Sequence, residues 1–330
     1  MRILRSLPVA PVPPVALTIG NFDGVHQGHQ AMLARLQEIA REAALPACAM
    51  TFEPHPREFF APDQAPVRLT SLREKLELLA ERGVASTHVL RFDYRLAQVT
   101  AQDFIERILV RGLGARHLLV GDDFRFGARR AGDFQLLKKH AARLGYSVET
   151  MSSVRIEGER VSSTAIRKAL EIGDLARAAI LLGRHYSISG RVVRGDGVGR
   201  QLGYPTANIL IRHNRPPLRG IFAVEVSGIG EGNTADVPFR GVASLGVRPT
   251  VKHQGEPLLE VYLLDFAGDL YGRHVRIDFL HKFRDEEKFA DLAALTRQIE
   301  VDVANTRAYF EHGSIQVGSP SPPATAHLRR

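Results

Sequence analysis

The hydrophobic pattern of this chain changes period once, near Gly183, and no other feature limits its possible folds so strongly. Before that point, short apolar runs at 15–19, 47–52, 88–92, 117–120 and 147–151 read as strands. Between them, 31–42, 71–82, 101–111 and 133–144 carry apolar residues at helical spacing. This alternation predicts a parallel sheet covered by helices, with ligands at the carboxyl ends of its strands. Two further helices, 163–171 and 174–182, are expected to finish a first domain over residues 1–183. Beyond Gly183, β-like segments at 187–193, 221–226, 239–245, 258–264 and 275–283 are separated by Gly, Pro and Asn clusters. They predict an antiparallel barrel or sandwich over 184–312. A stretch over 286–310 places Phe289, Leu292, Leu295, Ile299, Val303 and Phe310 at near-helical intervals and is expected to pack on it as a helix. Residues 313–330, rich in Ser, Pro and Ala, are expected to form a disordered tail.

At 330 residues the chain is long enough for two cores. No apolar run is long enough to span a bilayer, and Arg5 with Pro8, Pro11, Pro13 and Pro14 interrupts any signal-peptide core. The single cysteine, Cys48, excludes an internal disulfide and a cysteine-rich metal site. It reads as a core residue, and the whole as a cytoplasmic protein. The net charge of +8 points to anionic partners, either nucleic acid or several phosphates in one site. The basic residues are spread along the chain, with Arg125, Arg129, Arg130, Lys138 and Lys139 the largest local group, so charge alone does not choose.

The densest local signal is Gly20-Asn21-Phe22-Asp23-Gly24-Val25-His26-Gln27-Gly28-His29, which follows the first strand and opens the first helix. Its glycines admit close approach of phosphate oxygens, and the free N–H groups of the helix start favour an anion. His26 and His29 fall on one side of the first turn, placed to donate hydrogen bonds to a reacting phosphorus centre and a departing pyrophosphate. The plainer alternative is a pair of capping histidines. Ser162-Ser163-Thr164-Ala165-Ile166-Arg167 offers hydroxyls that cap a helix or bind phosphate, with Arg167 one turn later as a bidentate clamp. Thr51-Phe52-Glu53-Pro54-His55-Pro56, with Phe59 and Phe60, follows the second strand, and Val120-Gly121-Asp122-Asp123-Phe124-Arg125-Phe126-Gly127 follows the fourth. Both belong on the same sheet edge, as a stiff aromatic wall for a planar ligand.

The first of these segments resembles the His-x-Gly-His nucleotidyltransferases, which implies nucleoside transfer from ATP. Taken in order, all four resemble the FMN adenylyltransferase module of bacterial FAD synthetases. The resemblance implies a Rossmann-like domain with His26 and His29 catalytic. It implies ATP contacts from Gly20, Phe22, Asp23, Gly24, His26, His29, Ser163, Thr164 and Arg167. Flavin contacts are implied for Pro54, His55, Pro56, Phe60, Asp123 and Phe126. Asp123 stands where members vary between Asn and Asp, and contact with flavin or with Mg²⁺ is left open.

In the second half, Gly190-Arg191-Val192-Val193-Arg194-Gly195-Asp196-Gly197-Val198-Gly199-Arg200 leads into Tyr204-Pro205-Thr206-Ala207-Asn208. It lacks the Gly-Lys-Ser/Thr of a Walker loop, so its glycines wrap a phosphate chain or make a plain hairpin. Thr206 and Asn208 are closely spaced hard oxygen ligands. Glu260, within Leu258-Leu259-Glu260-Val261-Tyr262-Leu263, is a carboxylate on an apolar strand, where burial is costly unless it is paired or acts as a base. With Gly246-Val247-Arg248-Pro249-Thr250 and Arg284-Asp285-Glu286-Glu287-Lys288-Phe289, these segments resemble the riboflavin kinase module. That resemblance implies a barrel with Glu260 as catalytic base and ATP contacts from Gly195, Gly197, Gly199, Arg200, Thr206 and Asn208. It implies Mg²⁺ on Thr206 and Asn208, and flavin contacts from Arg284 and Glu287. Tyr262 departs from the family, where His is frequent.

The combined expectation is riboflavin phosphorylation to FMN followed by adenylyl transfer to give FAD, with ATP and Mg²⁺. The expected partners are these small molecules, without nucleic acid or membrane, and a homo-oligomer is left open. Three alternatives stand beside it. One module could be inactive. A tRNA-charging enzyme would need a lysine loop and an anticodon-binding region, and neither is found. A basic nucleic-acid-binding protein would show salt-dependent binding without flavin.

Overall fold

The computed structural model describes residues 1–7, 12–211, 215–230, 237–247 and 257–312. The expected tail at 313–330 and the Arg248–Thr250 part of one motif lie outside them. The chain divides into two units, Met1–Ala165 and Ile166–Arg330.

The first unit holds β1 (Arg2–Leu4), β2 (Val15–Ile19), α1 (Gln27–Glu42), β3 (Ala47–Glu53), α2 (Pro56–Phe60), α3 (Leu72–Glu81) and β4 (Ser86–Arg91). After α4 (Tyr94–Ala97), α5 (Ala101–Asp103) runs into a π-helical stretch, Phe104–Gly112, followed by β5 (Ala115–Gly121), α6 (Phe134–Leu144) and β6 (Ser147–Met151). A small hairpin, β7 (Arg155–Ile156) and β8 (Glu159–Arg160), precedes α7 (Ser163–Glu171). The main sheet has the order β1-β4-β3-β2-β5-β6, and every pairing is parallel. All five residues of β2 are buried, as a central strand covered on both faces requires. The chain leaves β2 toward β3 and β4 on one side and returns through β5 and β6 on the other. The gap between the ends of β2 and β5 is therefore the topological switch point, where ligands of such sheets gather. Helix starts are chemically marked: Ser71 and Glu74 form a capping box at α3, and Asp133 caps α6. β1 shows no pattern of its own, because three exposed edge residues are too few to alternate.

The second unit follows with α8 (Leu175–Leu182), β9 (Tyr186–Val193), α9 (Val198–Gln201), β10 (Ala207–Leu210), β11 (Gly220–Ser227), β12 (Phe239–Val247), β13 (Pro257–Leu263), β14 (His274–Arg284) and α10 (Leu292–Glu311). Its strands close into an antiparallel barrel, β10-β13-β12-β11-β14-β9, which settles the choice between barrel and sandwich. β10 was not foreseen, yet it completes the closure. α8 ends at Gly183, whose left-handed φ of 70° suits glycine, and lies against β9 and β14. α10 packs on β11 and β12. It begins at Leu292 rather than 286, because the Asp291 side chain accepts from the Ala294 N–H at 2.7 Å and starts the helix there.

Candidate active sites

The loop after β2 reaches the switch point and ends in the cap of α1. His26 is that cap: its Nδ1 accepts the His29 N–H at 3.3 Å, so its ring proton sits on Nε2. The two imidazoles stack with centroids 3.7 Å apart. Gly28 permits this, since a Cβ there would press on the His26 ring at 3.2 Å. Among the described residues the Nδ1 of His29 is buried and without a hydrogen-bond partner, and a buried polar atom left unpaired is costly in the absence of a ligand. Burial, helped by His26 and Lys75, holds His29 well below the usual imidazole range. The pair thus meets a ligand with His29 neutral.

The other residues of the loop mostly build it. Phe22 is fully buried among Val25, Leu33, Leu78 and Leu79, and its ring lies edge-on to His29 at 5.2 Å and covers Gly20. Asp23 accepts the N–H groups of Leu69 and Thr70 at 3.0–3.1 Å, and Gly24 donates to the Thr70 hydroxyl at 3.0 Å. At the start of α7, Ser162 caps Ala165, and the Ser163 hydroxyl donates to the Asp23 carbonyl at 2.9 Å. The expected phosphate-binding serine is thereby tied to the histidine loop. Thr164 is exposed, and Arg167 lies one turn further along the same helix.

The segment after β3 forms an aromatic corner. Pro54 follows a cis peptide, His55 caps α2 by accepting the Arg57 N–H at 3.1 Å, and Pro56 opens that helix. Phe60 is 67 % exposed and lies edge-on to Phe59 and Phe92, which leaves ring surface for a planar ligand. Phe126 sits instead in the core, packed on Phe104 and Phe124. Asp123 is exposed and pairs with Arg160 of β8 at 2.5 Å, while Asp122 accepts from the N–H and hydroxyl of Ser153 at 3.1 Å. These bonds hold the β7–β8 hairpin to the loop after β5.

In the barrel, Leu259, Val261 and Leu263 are buried inside, whereas Glu260 and Tyr262 alternate onto the other face. Glu260 is therefore not sunk in the barrel core. It faces a cavity of about 330 Å³, lined also by Gly197, Gly199, Thr206, Tyr262, Arg284 and Glu287. Glu260 stands opposite Asn208 on β10 and Ser244 on β12, and the Thr206 hydroxyl donates to it at 3.4 Å. The glycine loop closes on this group. A Cβ at Gly195 would overlap the Asn208 side chain, and one at Gly199 would lie 3.2 Å from the Thr206 Oγ1. Gly197 is left-handed, and Arg200 lies in the last turn of the short α9. Arg284 reaches the cavity already engaged, with Nε and Nη2 on the Asp302 carboxylate at 3.0 and 2.6 Å.

Family models agree with this division of labour. Residues 11–165 match FAD synthetase and residues 182–310 match riboflavin kinase. A protein of Escherichia coli K12 named bifunctional riboflavin kinase/FMN adenylyltransferase is 49 % identical over 94 % of this chain and 97 % of its own length. This chain belongs to that family. A family member from Haemophilus influenzae is 44 % identical over 94 % of this chain and 99 % of its own. A crystal structure named as a macrolide-efflux protein from Streptococcus pneumoniae shares 28 % identity with a TM-score of 0.77, covering 94 % of this chain and 100 % of that one. Its name belongs to that protein; among the described residues here, no helix is long and apolar enough to cross a membrane.

For a bifunctional riboflavin kinase/FMN adenylyltransferase, several residues at these sites escaped the sequence reading. Lys75 on α3 is 4 % exposed, although its neighbours Arg73 and Glu77 read as a solvated helix face. Arg68 grips Glu53 at 2.8 and 3.1 Å and also Glu58, fastening the segment after β3 to the loop leading into α3. Glu286 lies against Gly246, where any side chain would collide with its carboxylate, and burial pushes it above the usual carboxylate range. A glycine facing a glutamate forty residues away leaves no local pattern.

Proposed function

We propose that the barrel unit transfers the γ-phosphoryl group of ATP to riboflavin, and that the sheet unit transfers AMP from a second ATP to the resulting FMN. The observation that carries this reading is that each unit gathers its own set of candidate groups at one place. These are the stacked histidines at the switch point and the Glu260–Thr206–Asn208 group under the glycine loop. The module boundary is drawn at Gly183, although α8 itself lies against barrel strands.

In the kinase step, Glu260 accepts the proton of riboflavin's terminal hydroxyl as that oxygen bonds to the γ-phosphorus and ADP leaves. Gly195, Gly197, Gly199 and Arg200 hold the phosphate chain, and Glu287 with the segment after Arg284 closes on the flavin. The donor set fits Mg²⁺, which takes hard oxygens and binds mainly through nucleotide phosphates. Thr206 and Asn208 supply such oxygens where glycines leave room, and the ion would neutralise phosphate charge. In the adenylyl step, an FMN phosphate oxygen bonds to the α-phosphorus of ATP and pyrophosphate departs. His26 and His29 donate hydrogen bonds to the phosphates, while Gly20, Gly24, Ser163, Thr164 and Arg167 position the nucleotide. Pro54, His55, Pro56 and Phe60 wall the flavin. Phe22, Asp23, Asp123 and Phe126 shape the site from behind, through packing and internal hydrogen bonds. A cytoplasmic setting suits a sequence that consumes two ATP.

Chromatography of products from riboflavin with ATP and Mg²⁺, and separately from FMN with ATP and Mg²⁺, tests the scheme. FMN and then FAD are expected from the first mixture, and FAD from the second. Folded protein that forms neither product refutes the reading, and salt-dependent nucleic-acid binding would then be measured.

A further inference from the structure

α3 presents Lys75 on the same face as Leu78 and Leu79, three and four residues further on. Those leucines pack with Phe22 and Val25 beneath the histidine loop, and the Phe22 ring touches His29. Lys75 lies in the first turn of α3, just after the Thr70 that donates to Asp23 of the histidine loop, and is 4 % exposed. Among the described residues, no hydrogen bond or ion pair reaches its ammonium, whose nitrogen keeps a small opening to solvent.

The charges around it are already committed. Asp23 spends its carboxylate on Leu69 and Thr70. Glu53 and Glu58 are both held by Arg68. These groups and His29 are the ones whose fields reach Lys75. A lysine buried without a partner is unfavourable unless an anion completes it. Its place between the Asp23 loop and the Glu53–Arg68 element is the place between the proposed nucleotide and flavin walls.

We propose that Lys75 contacts the reacting phosphates of adenylyl transfer, the FMN phosphate and the α-phosphate of ATP, as a third group beside His26 and His29. This rests on the adenylyltransferase reading of the first unit. The FMN phosphate oxygen forms its bond to the α-phosphorus, the bond from that phosphorus to the bridging oxygen breaks, and pyrophosphate carries away the electron pair. Lys75 keeps its proton throughout and answers charge on the transferring group. Burial pushes its ammonium below the usual lysine range, while Asp23 and Glu53 pull it back.

The test uses the full chain with Lys75→Met, which keeps the volume and removes the charge, and Lys75→Arg, which keeps the charge. FAD formation from FMN, FMN formation from riboflavin and thermal unfolding are measured on each. Lys75→Met is expected to slow FAD formation by about 100-fold, the scale for loss of one transition-state donor. Kinase activity should stay within about twofold, and the melting temperature should hold or rise as an unpaired buried charge is removed. Lys75→Met forming FAD within about threefold of wild type overturns the inference. If Lys75→Met also melts early, Lys75→Arg decides: recovered FAD formation supports the contact, and continued loss assigns Lys75 to packing. A wild-type chain making no FAD sinks the adenylyltransferase reading itself. An active wild type beside an active Lys75→Met sinks this inference alone.

Discussion

The Arg284–Asp302 pair fastens α10 to the barrel, and its removal has a calculable cost. The Asp302 side chain is 6 % exposed and that of Arg284 19 %, with two nitrogens of the guanidinium on the carboxylate. Gln298 adds a third bond at 3.1 Å. Removing one partner of a buried pair costs about 3–5 kcal/mol, because the other charge stays buried and unpaired. Arg284 retains some solvent and its bond to the Asp285 carbonyl, so Asp302→Ala belongs at the lower end, about 3 kcal/mol. For a unit of this size, each kcal/mol shifts the melting temperature by about 2–4 °C, giving a fall of about 6–12 °C. Circular dichroism melts of the full chain read this directly. The double variant Arg284→Met with Asp302→Leu should recover most of the loss, since neither charge then remains. Asp302→Ala melting within about 2 °C of wild type would refute the reasoning, because that shift corresponds to less than about 1 kcal/mol.

The remaining expectations separate the two sites. Glu260→Ala should stop FMN formation while supplied FMN is still converted to FAD, as product chromatography would show. His29→Ala should do the reverse, losing FAD formation of about 100-fold or more and sparing the kinase. Burial holds His29, His88 and His117 below the usual imidazole range, so the fold favours their neutral forms. Their contribution to stability is complete above about pH 6.5 and is lost as pH falls below it, while the unfolded chain gains protons. His29→Phe should therefore shift the acid unfolding midpoint of the first unit to lower pH.

The histidine loop was legible because its glycines, cap and imidazoles all fall within ten residues, and local geometry followed from local sequence. The strand and helix pattern was legible for the same reason, down to β2 and β6 at their observed bounds. β10 was not: Ala-Asn-Ile-Leu is short, and one of its two partner strands, β13, is remote in the chain. Glu260 stood out as unusual in its strand, but its orientation depends on closure of the barrel, which sends Leu259 and Val261 inward and Glu260 outward. Phe22 and Phe126 illustrate a different limit. A phenylalanine in a binding motif reads the same whether its ring meets ligand or supports the loop, and here both rings are buried. Lys75 and Asp302 each look like one more charge on an amphipathic helix, and only tertiary packing shows their burial.

The position of Glu260 on the β10–β13 seam ties chemistry to assembly. A barrel is complete only when its first and last hydrogen-bonded neighbours meet, and this pairing joins strands from opposite sides of the long β11–β12 excursion. Asn208 faces Glu260 only in that closed register. With Glu260 and Asn208 in their proposed roles, phosphorylation of riboflavin becomes a sensor of closure: a chain whose hairpins have formed but whose seam is unzipped would retain most of its strand content and none of its kinase turnover.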